Sequence, residues 1–308
     1  MRINEGLKIR VIVVSLRGKW LLFKTKHSQL KQQMQQAFLQ PSRRNQAVVP
    51  QKFPANIVTK ERTLFGGRLL TAGSGAPQPQ HILLFHGGAY TMQGTKSHRQ
   101  MMVSLIEQAN VRITYVDYPL VPEATVEETV VFVMNVYSYL LAQYPDDEFF
   151  LMGDSAGGGL ALTLLQQLAL RQDPMPVGTI LISPWTDLSM MNPDLTAAAK
   201  HDPFLTLETL KRIGYEYAGA YPVTDPLVSP IYGNFDHLGK LKLYFGTNEL
   251  LQADDERLLQ KLSAAEGTPF TAHVMASMLH DYILWPHLPE TKQTLKEIKQ
   301  FVLTGKLN

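Results

Sequence analysis

Cysteine is absent from the 308 residues, which excludes disulfides, thiolate nucleophiles and cysteine-ligated metals while saying little about compartment. A long apolar run near the start is missing too. Val11-Ile12-Val13-Val14 is too short to span a bilayer and is broken by Arg17, Gly18 and Lys19. No signal-peptide cleavage site follows it, so the expectation is a soluble, intracellular, cytoplasmic protein. Acidic residues are nearly missing from positions 1–44, where Glu5 stands alone against ten basic residues (Arg2, Lys8, Arg10, Arg17, Lys19, Lys24, Lys26, Lys31, Arg43 and Arg44), a net of +9. The other 19 basic and 26 acidic residues give the rest of the chain −7, so the overall +2 hides an asymmetry. A basic leader on an acidic body either docks on that body or lies on an anionic membrane surface, and docking is the simpler reading. There is no internal repeat, no low-complexity tract and no sign of a nucleic-acid partner.

What is present describes an ordinary globular chain, 45% apolar and 18% charged. Its length lies near the upper limit of a single core, so one large domain with a smaller attachment is expected. The informative stretch is Phe149-Phe150-Leu151-Met152 running into Gly153-Asp154-Ser155-Ala156-Gly157, followed by an Ala- and Leu-rich segment to about Arg171. That order reads as buried strand, sharp turn and helix with a serine at the apex, the context in which G-x-S-x-G presents a nucleophile. Gly153 and Gly157 remove side chains that would collide with the strained apex. An ordinary strand-to-helix turn, or a phosphate-binding loop at a helix N-terminus, is the competing reading.

From residue 81 onward strand and helix alternate, which predicts an α/β fold with a mainly parallel sheet. His81–Phe85, Val111–Val116, Thr179–Ile182, Leu241–Phe245 and Phe270–Met275 read as strands, and two β-like runs precede them between Asn56 and Ala72. Helices are expected over Thr95–Glu107, from Pro122 to Tyr144, and over Leu250–Ala265 and Glu290–Leu303. Residues 1–40 carry two helix-like pieces, the second near Ser28–Leu39, and 42–55 look like a linker. The proline-rich stretch 188–235 interrupts the alternation and is a candidate lid. The expected division is therefore 1–50 as an N-terminal helical cap segment, 51–187 and 236–308 as two parts of an α/β core, and 188–235 as a cap insertion over the strand ends.

A serine hydroxyl needs a base, and the base needs an orienting acid, in the chain order serine, acid, histidine. Of the nine histidines only His237, His273, His280 and His287 follow Ser155. His280 is best placed, in a loop just after the strand Phe270–Met275; His273 falls within that strand, and His287 sits between Pro286 and Pro289. The first carboxylate after Leu241–Phe245 is Glu249, with Asp254 as the alternative acid. Backbone N–H groups of Gly87, Gly88 and Ala156 are the expected oxyanion donors. Asp117, Glu123 and Asp154 read as bracing residues, and Asp202-Pro203-Phe204-Leu205 as cap architecture.

Taken together, His86-Gly87-Gly88-Ala89-Tyr90 and Gly153-Asp154-Ser155-Ala156-Gly157-Gly158 resemble the hormone-sensitive lipase family of serine esterases. The likeness extends through Asp117-Tyr118-Pro119, Ser183-Pro184-Trp185-Thr186-Asp187, Asp202-Pro203-Phe204-Leu205 and Asp225-Pro226-Leu227, covering about residues 55–303. The resemblance implies an α/β-hydrolase fold with an eight-stranded, mainly parallel sheet and a helical cap. It further implies hydrolysis of short- to medium-chain carboxylic esters through an acyl-enzyme, no metal, no diffusible cofactor, and relatives that often pair as homodimers through a sheet edge. In the family the acid is usually an aspartate, whereas Glu249-Leu250-Leu251 stands here. Two other functions share these motifs: a non-enzymatic small-molecule-binding protein on the same fold, and a membrane-surface lipase using residues 1–44. A peptidase or amidase fits the triad alone.

Overall fold

The structure, a computed structural model, describes residues 9–12, 27–39, 52–77 and 79–307. Most of the basic leader (Arg2, Glu5, Lys8, Arg17, Lys19, Lys24, Lys26, Arg43 and Arg44), with positions 42–51 of the expected linker, lies outside the described residues.

The elements in chain order are β1 (Ile9–Ile12), α1 (His27–Leu39), β2 (Val58–Leu64), β3 (Gly67–Gly73), β4 (Gln80–Phe85), α2 (Lys96–Ala109), β5 (Arg112–Asp117), α3 (Val126–Gln143), β6 (Glu148–Asp154), α4 (Ser155–Arg171) and β7 (Gly178–Ile182). After β7 come α5 (Leu195–Ala198), α6 (Leu207–Ala218), β8 (Leu241–Gly246), α7 (Gln252–Ala264), β9 (Phe270–Met275) and α8 (Pro289–Thr304). The sheet order is β1-β9-β8-β7-β6-β4-β5-β3-β2. Among the described strands only the pairs β2/β3 and β3/β5 are antiparallel. Strands β2 to β9 form the expected eight-stranded sheet, and β1 adds a ninth strand parallel to β9.

The apolar runs are continuous because helices cover both faces. With a side-chain period of two, Leu83, Phe85, Leu151 and Leu181 join the core shared with α3 and α4. Their neighbours Ile82, Leu84, Phe150, Met152, Ile180 and Ile182 join the core shared with α2 and α8. Register keeps like with like: Ile82 lies opposite Phe150 and Leu84 opposite Met152 across β4/β6.

Two expectations fail locally. The first helix-like piece of the leader contains the strand Ile9–Ile12, whose β-branched residues suit an edge position against β9. Pro122 does not open a helix. It lies in a turn, and α3 starts at Val126, where the Glu128 carboxylate accepts the Thr125 N–H (2.8 Å) and Oγ1–H (2.6 Å), a cap that fixes the start four residues later.

The 188–235 stretch leaves the sheet between β7 and β8 and carries α5 and α6. Helix α1 is held against it: Gln35 Nε2 donates to Thr206 Oγ1 (3.0 Å), and Lys31 Nζ donates to the carbonyls of Ala199 (3.4 Å) and Asp202 (3.2 Å). One basic residue of the leader thus binds the body of the chain. Among the described residues no helix is long and apolar enough to cross a membrane.

Candidate active site

Strand β4 has β5 on one side and β6 on the other, so the chain reverses its direction of winding there. In open parallel sheets the crevice beyond the strand C-termini at such a reversal is where ligands bind. Strand β4 delivers His86-Gly87-Gly88 to that crevice, and β6 delivers Ser155 at the head of α4. Ser155 has φ of 50°, a left-handed backbone rare outside glycine and typical of a strained apex. A Cβ on Gly153 would strike the Gly157 carbonyl, and one on Gly157 would strike the Phe85 carbonyl, so the turn needs both glycines.

Loops after β8 and β9 bring the remaining groups. His280 Nε2 lies 2.9 Å from Ser155 Oγ, and His280 Nδ1 lies 2.6 Å from Glu249 Oε2. Glu249 is fully buried, and its other oxygen accepts the Gly246 N–H (2.6 Å) and the Ser183 hydroxyl (2.9 Å). The two loops are stitched together: Thr247 N–H donates to the Met275 carbonyl (3.1 Å), Asn248 N–H to that of Met278 (2.9 Å), and Ser277 N–H to Thr247 Oγ1 (2.7 Å). A further tie comes from the 188–235 stretch. Asp202 Oδ2 accepts the Leu250 N–H (2.7 Å), while its Oδ1 accepts the N–H groups of Phe204 (2.7 Å) and Leu205 (2.8 Å).

Asp254, the alternative acid, points elsewhere. It sits in the first turn of α7 and accepts from Asn192 Nδ2 (2.8 Å) and Arg257 (2.9 Å). His273 is buried inside β9 beside Glu297 (2.8 Å), while His237 and His287 are exposed. Of the four histidines after Ser155, His280 is the one beside it.

The oxyanion loop needs one correction. The Gly87 N–H, expected as a donor, is spent on Asp154 Oδ2 at 3.0 Å. Among the described residues the Gly88 N–H makes no such bond, and the Ala156 N–H lies in the first turn of α4, where the helix ladder supplies no acceptor. Asp154 Oδ2 also accepts from His98 Nε2 (3.0 Å), and His98 Nδ1 accepts the Thr95 N–H (2.9 Å), so loop, strand end and the start of α2 are one network. Burial raises the Asp154 carboxyl pKa, but His98, His86 and the Gly87 N–H outweigh it and hold the value below the ordinary aspartate range. His86 itself is wedged between Tyr118 (4.4 Å) and Tyr115 (5.3 Å), and its Nδ1 donates to the Gly87 carbonyl (2.8 Å). Burial is the main reason its pKa is lowered, which keeps the ring neutral. Asp117 pairs with Arg68 (2.8 Å), and Glu123 is exposed.

For His280 burial works to lower the imidazole pKa, but the Asp281 charge and the hydrogen bond to Glu249 overcome it and push the value up to about 10. A cavity of about 210 Å³ opens over Ser155 and His280. Met34 and Phe38 of α1, Phe204 and Leu205 of the 188–235 stretch, and Met92, Leu284 and Trp285 give it apolar walls. A nucleophile, a base with its acid, and backbone donors facing an apolar slot can together carry out acyl transfer.

Known proteins agree with that chemistry. A family described as alpha/beta hydrolase fold matches residues 82–284. An esterase of Acinetobacter venetianus is 32% identical over 256 residues, covering 81% of this chain and 84% of its own. An acetyl-hydrolase of Streptomyces hygroscopicus is 31% identical over 226 residues, covering 73% and 75% respectively. Among solved structures, an esterase from the bacterial hormone-sensitive lipase family superimposes with a TM-score of 0.77 at 26% identity, covering 91% of this chain and 97% of its own. On these grounds the chain belongs to the α/β-hydrolase fold family, within the hormone-sensitive lipase group of carboxylic ester hydrolases.

Proposed function

We propose that the chain is a serine carboxylesterase for short- to medium-chain esters, with Ser155 as nucleophile, His280 as general base and Glu249 as the orienting acid. Ser155 Oγ attacks the ester carbonyl carbon while His280 Nε2 takes its proton. The Gly88 and Ala156 N–H groups stabilise the developing oxyanion. His280 then gives the proton to the departing alcohol oxygen, leaving an acyl-serine, and water repeats the two steps to release the acid. Glu249 holds Nδ1–H, fixes the ring and stabilises the imidazolium formed in each half-reaction. The 188–235 stretch and α1 serve as a cap, and their apolar side chains receive the acyl group.

The observation carrying this reading is the unbroken hydrogen-bond chain Ser155–His280–Glu249, 2.9 Å then 2.6 Å, whose Ser155 and His280 line the cavity. Its test is hydrolysis of p-nitrophenyl butanoate by Ser155→Ala. Turnover is expected to fall by ~10⁶-fold or to background, and substantial remaining turnover would overturn the assignment.

A further inference from the structure

His280 Nε2 has a second neighbour besides the serine. Asp281 Oδ2 lies 3.2 Å from it. The Asp281 backbone is left-handed, with φ of 51° and ψ of 39°, a turn that brings the carboxyl back beside the imidazole of the preceding residue. Its other oxygen, Oδ1, is buried with no hydrogen-bond partner among the described residues. Among the described residues the charges that act most strongly on the pair from elsewhere are acidic: Glu249 from the loop after β8, Asp202 from the 188–235 stretch, Asp154 from the end of β6 and Asp255 from α7. His98 faces the pair only through Asp154, to which it is bonded. Among the described residues the cationic partner within ion-pair distance of this carboxylate is the imidazole.

We propose that Asp281 Oδ2 and His280 Nε2 share a single proton in the resting enzyme, so that Asp281 is a catalytic residue that sets the pH above which His280 accepts the serine proton. The inference rests on the Ser155–His280–Glu249 reading. Burial raises the Asp281 carboxyl pKa, the His280 charge lowers it, and Asp154, Glu249 and Asp202 raise it again, leaving it above the ordinary range, while the Asp281 charge raises that of His280; the two raised values belong to one pair holding a proton between them. While it is held, Nε2 has no lone pair for Ser155. As pH rises the proton passes to solvent, leaving a carboxylate and a neutral imidazole. Ser155 Oγ–H then transfers its proton to Nε2 as the Oγ–C bond forms, and the imidazolium stands between two carboxylates, Glu249 and Asp281. When the ester C–O bond breaks, that proton moves to the leaving alkoxide.

A role confined to the turn makes a different prediction, because asparagine and glycine both tolerate left-handed backbone. The test is the rate of serine labelling by a fluorophosphonate from pH 5 to 10 in the 308-residue chain, in Asp281→Asn and in Asp281→Gly. The wild-type acid limb is expected to have its midpoint above about pH 7, beyond the ordinary imidazole value of about 6.5. In both variants it is expected to move down by a unit or more, which at pH 6 is about tenfold faster labelling relative to each protein's own plateau. A wild-type midpoint at or below about pH 7, which needs no variant to fold, overturns the proposal, as do variant limbs that coincide with the wild type. Absence of labelling at every pH, or labelling that persists in Ser155→Ala, overturns the triad reading itself and this proposal with it.

Discussion

Glu249 and Asp254 are five positions apart in sequence and differ in every contact. Glu249 meets His280, Ser183 and the Gly246 N–H; Asp254 meets Asn192 and Arg257. Glu249→Ala is therefore expected to lower kcat by about 10⁴-fold, while Asp254→Ala keeps kcat within about tenfold of wild type and lowers the melting temperature. Equal losses in a p-nitrophenyl ester assay would reassign the acid. Asp154 makes a prediction with a pH sign. Its native pKa is depressed, so its contribution is present above the unfolded value of about 3.9 and is lost as pH falls through the lower native value. Urea melts should show Asp154→Asn less stable by about 1–3 kcal/mol at pH 7, and the gap should narrow as pH falls below the unfolded value of about 3.9. Ser155, His280 and Glu249 were legible because each follows a strand whose apolar run is visible. Asp202 and Asp281 were not. Asp202 reaches the acid loop from 48 residues away, and Asp281 acts through a left-handed turn that leaves no pattern in the sequence. The Gly87 error has the same root, since sequence places a glycine in a loop without saying which way its N–H points.

At the scale of elements, helix α1 matters more than its position near the start suggests. Its Met34 and Phe38 enter the cavity wall, and Lys31 and Gln35 fasten it to the 188–235 stretch. A helix near Ser28–Leu39 was legible in the sequence, but nothing local showed what its Met34 and Phe38 cover. Each methylene of acyl chain buried against such a wall is worth about 0.8 kcal/mol, or roughly fourfold in kcat/KM. Phe38→Ala is thus expected to cut the kcat/KM ratio of hexanoate to acetate by about tenfold. An unchanged ratio in a series of p-nitrophenyl esters would remove α1 from the acyl site. Boundaries were readable where side chains cap the element and misleading where proline alone was the cue. The Thr125-Val126-Glu127-Glu128 cap was there to be seen, and Pro122 drew attention away from it.

At the scale of the molecule, the two sheet edges differ. At one end β9 is followed by the four-residue strand β1, whereas the other end is the seven-residue β2, which among the described residues pairs only with β3 and carries Lys60, Glu61 and Arg62 in an exposed row, charges that discourage strand pairing with another chain. The alternation of strand and helix made the parallel core legible, since both faces are buried and the runs are continuous. The ninth strand was hidden because four residues of Ile9–Ile12 carry too little periodicity. The hydrogen bond between Ser155 and His280 joins residues 125 positions apart, and the one between Ser183 and Glu249 joins residues 66 apart. Strands β7, β8 and β9 lie between Ser155 and His280 in the chain, and β6 ends at Asp154 beside the serine. Turnover therefore reports on the entire tertiary structure: a collapsed chain with its helices formed but one strand out of place has a serine, a histidine and a glutamate, and no enzyme.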